Sequence, residues 1–328
     1  LACVRIGEGR IEATDLAQRL TITLPGLDCA PVCVPLKMLR ELARNLKGDV
    51  CMRTEGQTLI VNESFRLLGL DPAEWPNVDG QPVAWPGHFM LPSKSHWDAV
   101  MPAMSPNETW LQLCGVCLDI ENRRFVASDG HRLHAVEAQV NAMKPLHKGI
   151  SRPKAVIIPA PTVKVLHGML PDQVEGQLRY FGLPPGPSGT PAVSWCLRFT
   201  TLTATLTVRV PETADFPDYT QIIPEPSKST AVTFPRLPLL EAATACRALY
   251  TAGKNGNLAT SGMTLEPGKD GIKAWAEQPD SGRVERVIPA QGWPADTTPA
   301  IGFNSRYLLE ALHCLQEEPS ERQRRAFV

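Results

Sequence analysis

The segment most able to do chemistry is Asp129-Gly130-His131-Arg132-Leu133-His134. A carboxylate and an imidazole two residues apart serve acid–base or metal chemistry when further groups complete the site. Here no second carboxylate cluster, Gly-rich phosphate loop or nucleophile elbow accompanies them, so a metal-dependent hydrolase centred on Asp129 and His131 is the less favoured reading. The plainer reading is a strand-end turn, in which Asp129 caps backbone donors and Gly130 supplies a positive φ. Cys114-Gly115-Val116-Cys117 has one metal-ligand spacing but no matching second pair. In a strand, residues three apart point to opposite faces, so no metal and no cofactor is expected there. Nine cysteines, an odd number scattered along the chain, read as reduced thiols and not as a disulfide framework. These features point away from an enzyme.

A second signal is cationic. Lys37, Arg40, Arg44 and Lys47 recur at steps of three, four and three and share one face of a predicted helix, while Leu39, Leu42 and Leu46 take another. On one helix a solvated charged face is the simpler explanation. Lys164 with His167, and Arg306 with His313, add positive character to two equivalent helices, and that repetition favours a shared cationic surface. The formal net charge is only -1, so no global basic field exists and any nucleic-acid contact must come from such local patches.

The elements that carry these residues recur. Arg10-Ile11-Glu12-Ala13-Thr14-Asp15 resembles Arg124-Phe125-Val126-Ala127-Ser128-Asp129, with a faint third copy at Leu258-Ala259-Thr260-Ser261-Gly262. A strand followed by Pro or Asn and then an amphipathic helix occurs at Val32–Lys47, Val156–Leu170 and Ile301–Leu315, and a variant opens at Phe89 and at Val232. Section ends also match, Glu74-Trp75-Pro76-Asn77 with Asp215-Phe216-Pro217-Asp218. Trp195–Phe199 and Ala204–Val210 alternate as antiparallel strands, and the Gly- and Pro-rich Gly182–Pro191 stretch reads as a hairpin tip or loop. The prediction is an α+β protein of three homologous domains at residues 1–87, 88–228 and 229–328, each of two strand-helix-strand units. The first lacks an opening helix, so its N-terminal strand and helix are expected to precede Leu1. No run approaches the roughly 18 to 20 apolar residues of a membrane span, and a cytoplasmic location is expected.

Taken in order, Ala13-Thr14-Asp15-Leu16, Trp75-Pro76-Asn77, Ala127-Ser128-Asp129-Gly130-His131-Arg132-Leu133, Phe216-Pro217-Asp218-Tyr219, Ile222-Ile223-Pro224 and Ile301–Leu309 resemble the bacterial DNA polymerase III beta subunit family, the beta sliding clamps. The resemblance implies three tandem clamp domains per subunit and two subunits joined head to tail in a ring around duplex DNA, with helices inside and antiparallel sheets outside. It implies a non-enzymatic processivity factor that tethers DNA polymerase and the clamp loader through short peptide motifs. Carried over by motif, the partner-peptide cleft falls on Leu113, Ser128, Gly130, His131, Arg132, Leu133, Pro217, Gln221 and Ile222, with Gln221 where the family commonly has arginine. The DNA-facing residues fall on Lys37, Arg40, Arg44, Lys47, Lys164 and Arg306, and the dimer interface on Phe65 and Leu67 against Leu249 and Tyr250. The resemblance implies final strands and a Met-rich tail that complete the family's cleft, and Ser320–Val328 shows no sign of them. An alternative is a clamp-derived adaptor or decoy that keeps the cleft without encircling DNA.

Overall fold

Prolines and asparagines set the helix starts in this chain, and β-branched alternation sets the strands. The structure, a computed structural model, describes residues 3–76, 84–90, 94–140, 153–169, 175–182, 193–210, 215–225, 231–251, 261–268, 270–279, 281–289 and 300–315. In chain order they form β1 (Cys3–Gly7), β2 (Arg10–Thr14), β3 (Gln18–Thr23), β4 (Val32–Pro35), α1 (Leu36–Asn45), β5 (Met52–Glu55), β6 (Thr58–Val61) and β7 (Phe65–Leu68). Then come β8 (Ala84–Met90), α2 (Lys94–Val100), β9 (Gly115–Asp119), β10 (Arg124–Ser128), β11 (Leu133–Glu137), β12 (Gln139–Val140), β13 (Ala155–Pro159), α3 (Ala160–Met169), β14 (Glu175–Gly182), β15 (Val193–Thr200) and β16 (Ala204–Arg209). The last are α4 (Arg236–Thr251), β17 (Gly262–Gly268), β18 (Gly271–Gln278), β19 (Gly282–Ile288), β20 (Ile301–Asn304) and α5 (Ser305–Cys314). The class is α+β with antiparallel pairing, as the sequence predicts. The faint repeat at 258–260, the stretch 183–191 and the chain end 316–328 lie outside the described residues.

The chain divides into two compact units: Leu1–Lys94 with Gly115–Phe125 and Glu137–Phe216, and Ser95–Cys114 with Val126–Val136 and Pro217–Val328. In the first, a nine-stranded sheet runs β12-β8-β14-β15-β16-β3-β2-β1-β4. Its continuity depends on β3 pairing with β16, Leu20 opposite Leu206 and Thr21 opposite Thr205. Val4, Ile6, Val32, Val34, Leu59 and Val61 form one core, against which Leu39, Leu42 and Leu46 of the α1 segment pack. The helix buries its leucine stripe and exposes its polar face, as helical spacing requires. It is shorter than the sequence predicts. Leu46 is extended and its N–H returns to the Leu42 carbonyl at 3.1 Å, and Gly48 follows at φ +79°. Lys47 therefore lies beyond the helix, and the helical stripe consists of Lys37, Arg40 and Arg44.

Elsewhere in this unit β9 pairs with β13, Gly115 opposite Pro159 and Asp119 opposite Ala155. A Cβ on Gly115 would stand 2.2 Å from the Ile158 carbonyl oxygen, so only glycine fits that approach. A separate sheet runs β5-β6-β7 with β7 at one edge. Of the two residues the resemblance puts at a subunit boundary here, Phe65 is 43% exposed but Leu67 is core. Strand alternation gives them the same parity, yet Leu67 packs into the core that contains Leu59 and Val61. Leu67 thus packs in the core of this unit.

The second unit holds a sheet of order β19-β18-β17-β20. α4 supplies Leu239, Ala242, Ala243 and Cys246 to its core, and α5 supplies Leu309 and Leu312. The α4 set follows i, i+3, i+4, i+7 spacing and the α5 pair i, i+3. Asn304 caps α5 by accepting the Arg306 N–H at 3.0 Å. Leu249 and Tyr250 at the end of α4 are half-buried against this core, and the Tyr250 hydroxyl donates to the Gly262 carbonyl at 2.9 Å.

Candidate functional site

The candidate site grows from the turn between β10 and β11, neighbours in one sheet. Ser128 ends the first strand and Leu133 begins the second. Asp129 Oδ1 accepts the N–H groups of His131 at 3.0 Å and Arg132 at 3.1 Å, and its Oδ2 accepts Arg132 Nε at 3.1 Å. Ser128 Oγ donates to the Arg132 carbonyl at 2.8 Å and accepts the Gly130 N–H at 3.2 Å. Gly130 sits at φ +84°. The sequence-based reading of Asp129 as a cap and Gly130 as the left-handed residue describes this turn. Both carboxylate oxygens of Asp129 are engaged by donors, which suits a structural role and leaves it a poor general base.

Beside the turn lies a loop that ends at β9. The Trp110 carbonyl accepts the N–H groups of Leu113 at 2.8 Å and Cys114 at 3.1 Å. Its indole is close enough to Gly130 that a Cβ there would meet the ring at 3.4 Å. Leu113 is buried, whereas Trp110 and Leu111 are 43% and 66% exposed. The Cys114 thiol donates to the Asn107 carbonyl at 2.7 Å. Cys117 lies in the buried strand β9, and burial pushes its thiol up to about 12, so neither sulfur is poised as a ligand.

The other side of the turn meets α5. The Arg132 guanidinium lies 4.4 Å from the Tyr307 ring centre, and the His131 ring stacks on the same tyrosine, centroids 6.4 Å apart and planes 18° apart. Arg132 also donates to Glu310 and to the Pro102 carbonyl. With 9% of its side chain exposed, Arg132 is a buried strut beneath the surface and His131 is the exposed member of the pair. Burial pushes the Glu310 carboxyl up, but hydrogen bonds from Arg306 and Arg132 outweigh it and hold the group below its ordinary value. One residue into β11, buried His134 contacts the Ala99 carbonyl through Nδ1 at 2.6 Å, and burial holds its imidazole below the usual range.

The remaining expected cleft residues occupy a second turn of the same unit. Asp218 accepts Thr220 N–H at 3.1 Å and Thr220 Oγ1 at 2.6 Å on one oxygen, and Gln221 Nε2 at 2.8 Å on the other. This caps a short 3₁₀ turn, Tyr219–Ile222, with Tyr219 buried, Pro217 and Gln221 exposed and Ile222 63% exposed. The Gln221 amide is held on its own turn, while the Asp129 turn makes its polar contacts with Pro102 and Glu310. Leu113, Ser128, Gly130, His131, Arg132 and Leu133 lie at or beside the first turn, and Pro217, Gln221 and Ile222 at or beside the second.

Of the cationic residues, Lys37, Arg40, Arg44, Lys47, Lys164 and Arg306 are all at least partly exposed. Arg44 is paired with Glu41 at 2.8 Å and Arg306 with Glu310 at 2.8 Å.

No family model matches the chain. The chain is 25% identical to the beta sliding clamp of Salmonella typhimurium over 334 residues, covering 96% of this chain and 82% of that protein. It is 26% identical to the beta sliding clamp of Escherichia coli K12 over 298 residues, 87% of this chain and 72% of that one. Among solved structures, the DNA polymerase sliding clamp from Bacillus subtilis superposes with a TM-score of 0.71 at 18% identity, covering 96% of this chain and 82% of that chain. The chain is similar to the beta sliding clamps at about a quarter of its positions. Its fold is the sliding-clamp fold. Against that fold, sequence reasoning missed Trp110, Tyr307 and Glu310. Tyr307 and Glu310 are three apart on α5 and so share a face, which was legible, but nothing local told that this face meets a turn far earlier in the chain, Arg132 and Glu310 being 178 residues apart.

Proposed function

We propose that this chain is a DNA sliding clamp: two subunits of three domains each close into a ring around duplex DNA and tether polymerase and other replication proteins through short peptides. The observation that supports it most is the agreement of fold over 96% of the chain with a solved clamp, joined to the colinear motifs of the sequence. On this reading the domains fall at residues 1–87, 88–228 and 229–328. Lys37, Arg40, Arg44, Lys47, Lys164 and Arg306 face DNA, and their modest number suits weak, non-specific phosphate contact that permits sliding. The partner cleft uses Leu113, Leu133 and Ile222 as apolar walls and His131 and Gln221 as polar groups, a combination suited to a peptide with a few anchors. Ser128 and Gly130 shape the turn, Arg132 holds it, and Pro217 fixes the entry to the second turn. No chemistry is assigned, and no cofactor.

A second reading, an adaptor that binds partner peptides without encircling DNA, draws support from one observation. Leu67 is committed to its own core and the Tyr250 hydroxyl to its own Gly262, so two of four expected boundary residues are occupied within the subunit. Native mass at micromolar concentration separates the two: a two-chain particle, reduced to single chains by Phe65→Asp with Leu249→Asp, supports the ring, and a single chain in the unmodified protein supports the adaptor.

A further inference from the structure

Glu310 is shared between two guanidiniums of different character. Its Oε1 accepts Nε of Arg306 at 2.8 Å, a side chain 45% exposed on α5. Its Oε2 accepts Nη1 of Arg132, whose side chain is 9% exposed and whose remaining groups are taken by Asp129 Oδ2, the Pro102 carbonyl and the Tyr307 ring. With Oε1 held by Arg306, Glu310 offers Arg132 a single oxygen, Oε2. Whatever draws Arg306 away frees Oε1 to accept a second N–H of Arg132.

We propose that Glu310 is a positioning residue that couples an anion at Arg306, a backbone phosphate of DNA, to peptide binding at the Asp129–Leu133 turn. This rests on the reading of that turn as part of the partner cleft. When a phosphate takes Arg306, both Glu310 oxygens are free for Arg132, and the strut is held more firmly between α5 and the turn. Tyr307 and His131, which stack beside it, are then held in one arrangement. A peptide landing on a platform already ordered binds more tightly, because less ordering remains to be done on binding. The coupling is reciprocal, so bound peptide strengthens phosphate capture by Arg306 to the same degree. A clamp with this device holds partners more firmly when DNA is present than when free.

The test uses the full chain and a synthetic peptide with two large apolar anchors, titrated at low salt. Arg306→Ala mimics removal of Arg306 by phosphate and is expected to tighten peptide binding by about fivefold, the lower end of ordinary coupling because Arg306 is half exposed. Adding a short DNA duplex to the unmodified chain is expected to act in the same direction and to do nothing in Arg306→Ala. In a Glu310→Gln background, Arg306→Ala is expected to leave peptide affinity unchanged, which a merely structural role for Glu310 does not predict. Peptide binding that Arg306→Ala leaves equal or weaker overturns the coupling and spares the cleft. A folded chain that binds no peptide overturns both.

Discussion

Replacing Arg132 by Met removes the strut while keeping an unbranched apolar stem in its place. Breaking a buried ion pair by deleting one partner costs about 3–5 kcal/mol when the other charge is stranded. Here neither carboxylate is stranded: Asp129 keeps two backbone N–H donors and Glu310 keeps Arg306 at 2.8 Å. The ion-pair part of the loss therefore falls to about 1–2 kcal/mol. Losing the guanidinium from the Tyr307 ring at 4.4 Å adds about 1 kcal/mol. The expected destabilisation of the second compact unit is thus about 2–3 kcal/mol, read from the shift of its urea midpoint at pH 7. The difference carries a pH signature. Glu310 is held below its ordinary value of 4.5, so its contribution is complete above that value and is lost as pH falls through the folded value. Arg132→Met lessens that depression, and the gap between the two proteins narrows on the acid side of pH 4.5. A loss under about 0.5 kcal/mol, or a gap that widens with acid, refutes the strut.

Three further outcomes are expected. His134→Gln flattens the acid side of the stability curve, because the buried neutral imidazole favours folding fully above its ordinary value of 6.5 and progressively less as pH falls toward its lowered folded value; urea midpoints across that range check it. Gly115→Ala forces a Cβ against the Ile158 carbonyl oxygen at 2.2 Å and costs on the order of 3 kcal/mol or prevents folding, read from soluble yield and urea midpoint. Replacing Lys37, Arg40 and Arg44 by Ser weakens binding to duplex DNA without sequence preference and flattens the salt dependence by about 0.9 in log–log slope for each phosphate no longer neutralised.

Most of the local architecture could be read from the residues themselves. Pro35, Pro159 and Asn304 announce helices 36–45, 160–169 and 305–314, and the Asp129–Gly130 pair announces its turn, because capping and positive φ are decided within a few residues. What the residues do not tell locally depends on distant partners. The cationic spacing carried the first helix to Lys47, yet the Leu46 N–H returned to Leu42 and Lys47 fell outside it. Leu67 carried over to a boundary by motif, yet alternation in an edge strand does not say which face meets the core, and Leu67 entered it. Arg132 is carried to the cleft by motif, and its sequence surroundings do not tell that three elements converge on it: the 3₁₀ turn Met101–Ala103, the Asp129 turn and α5. Such convergence joins residues widely separated in sequence and leaves no periodic trace.

Encirclement of DNA is a topological property, and retention on DNA circles tests it directly. With the chain loaded on closed circular duplex and the circles isolated by gel filtration in moderate salt, a ring-forming clamp is predicted to travel with the circles and to be released when one restriction cut opens them. Protein that stays equally on circular and linear duplex, or that never travels with circles, contradicts a clamp that encircles DNA.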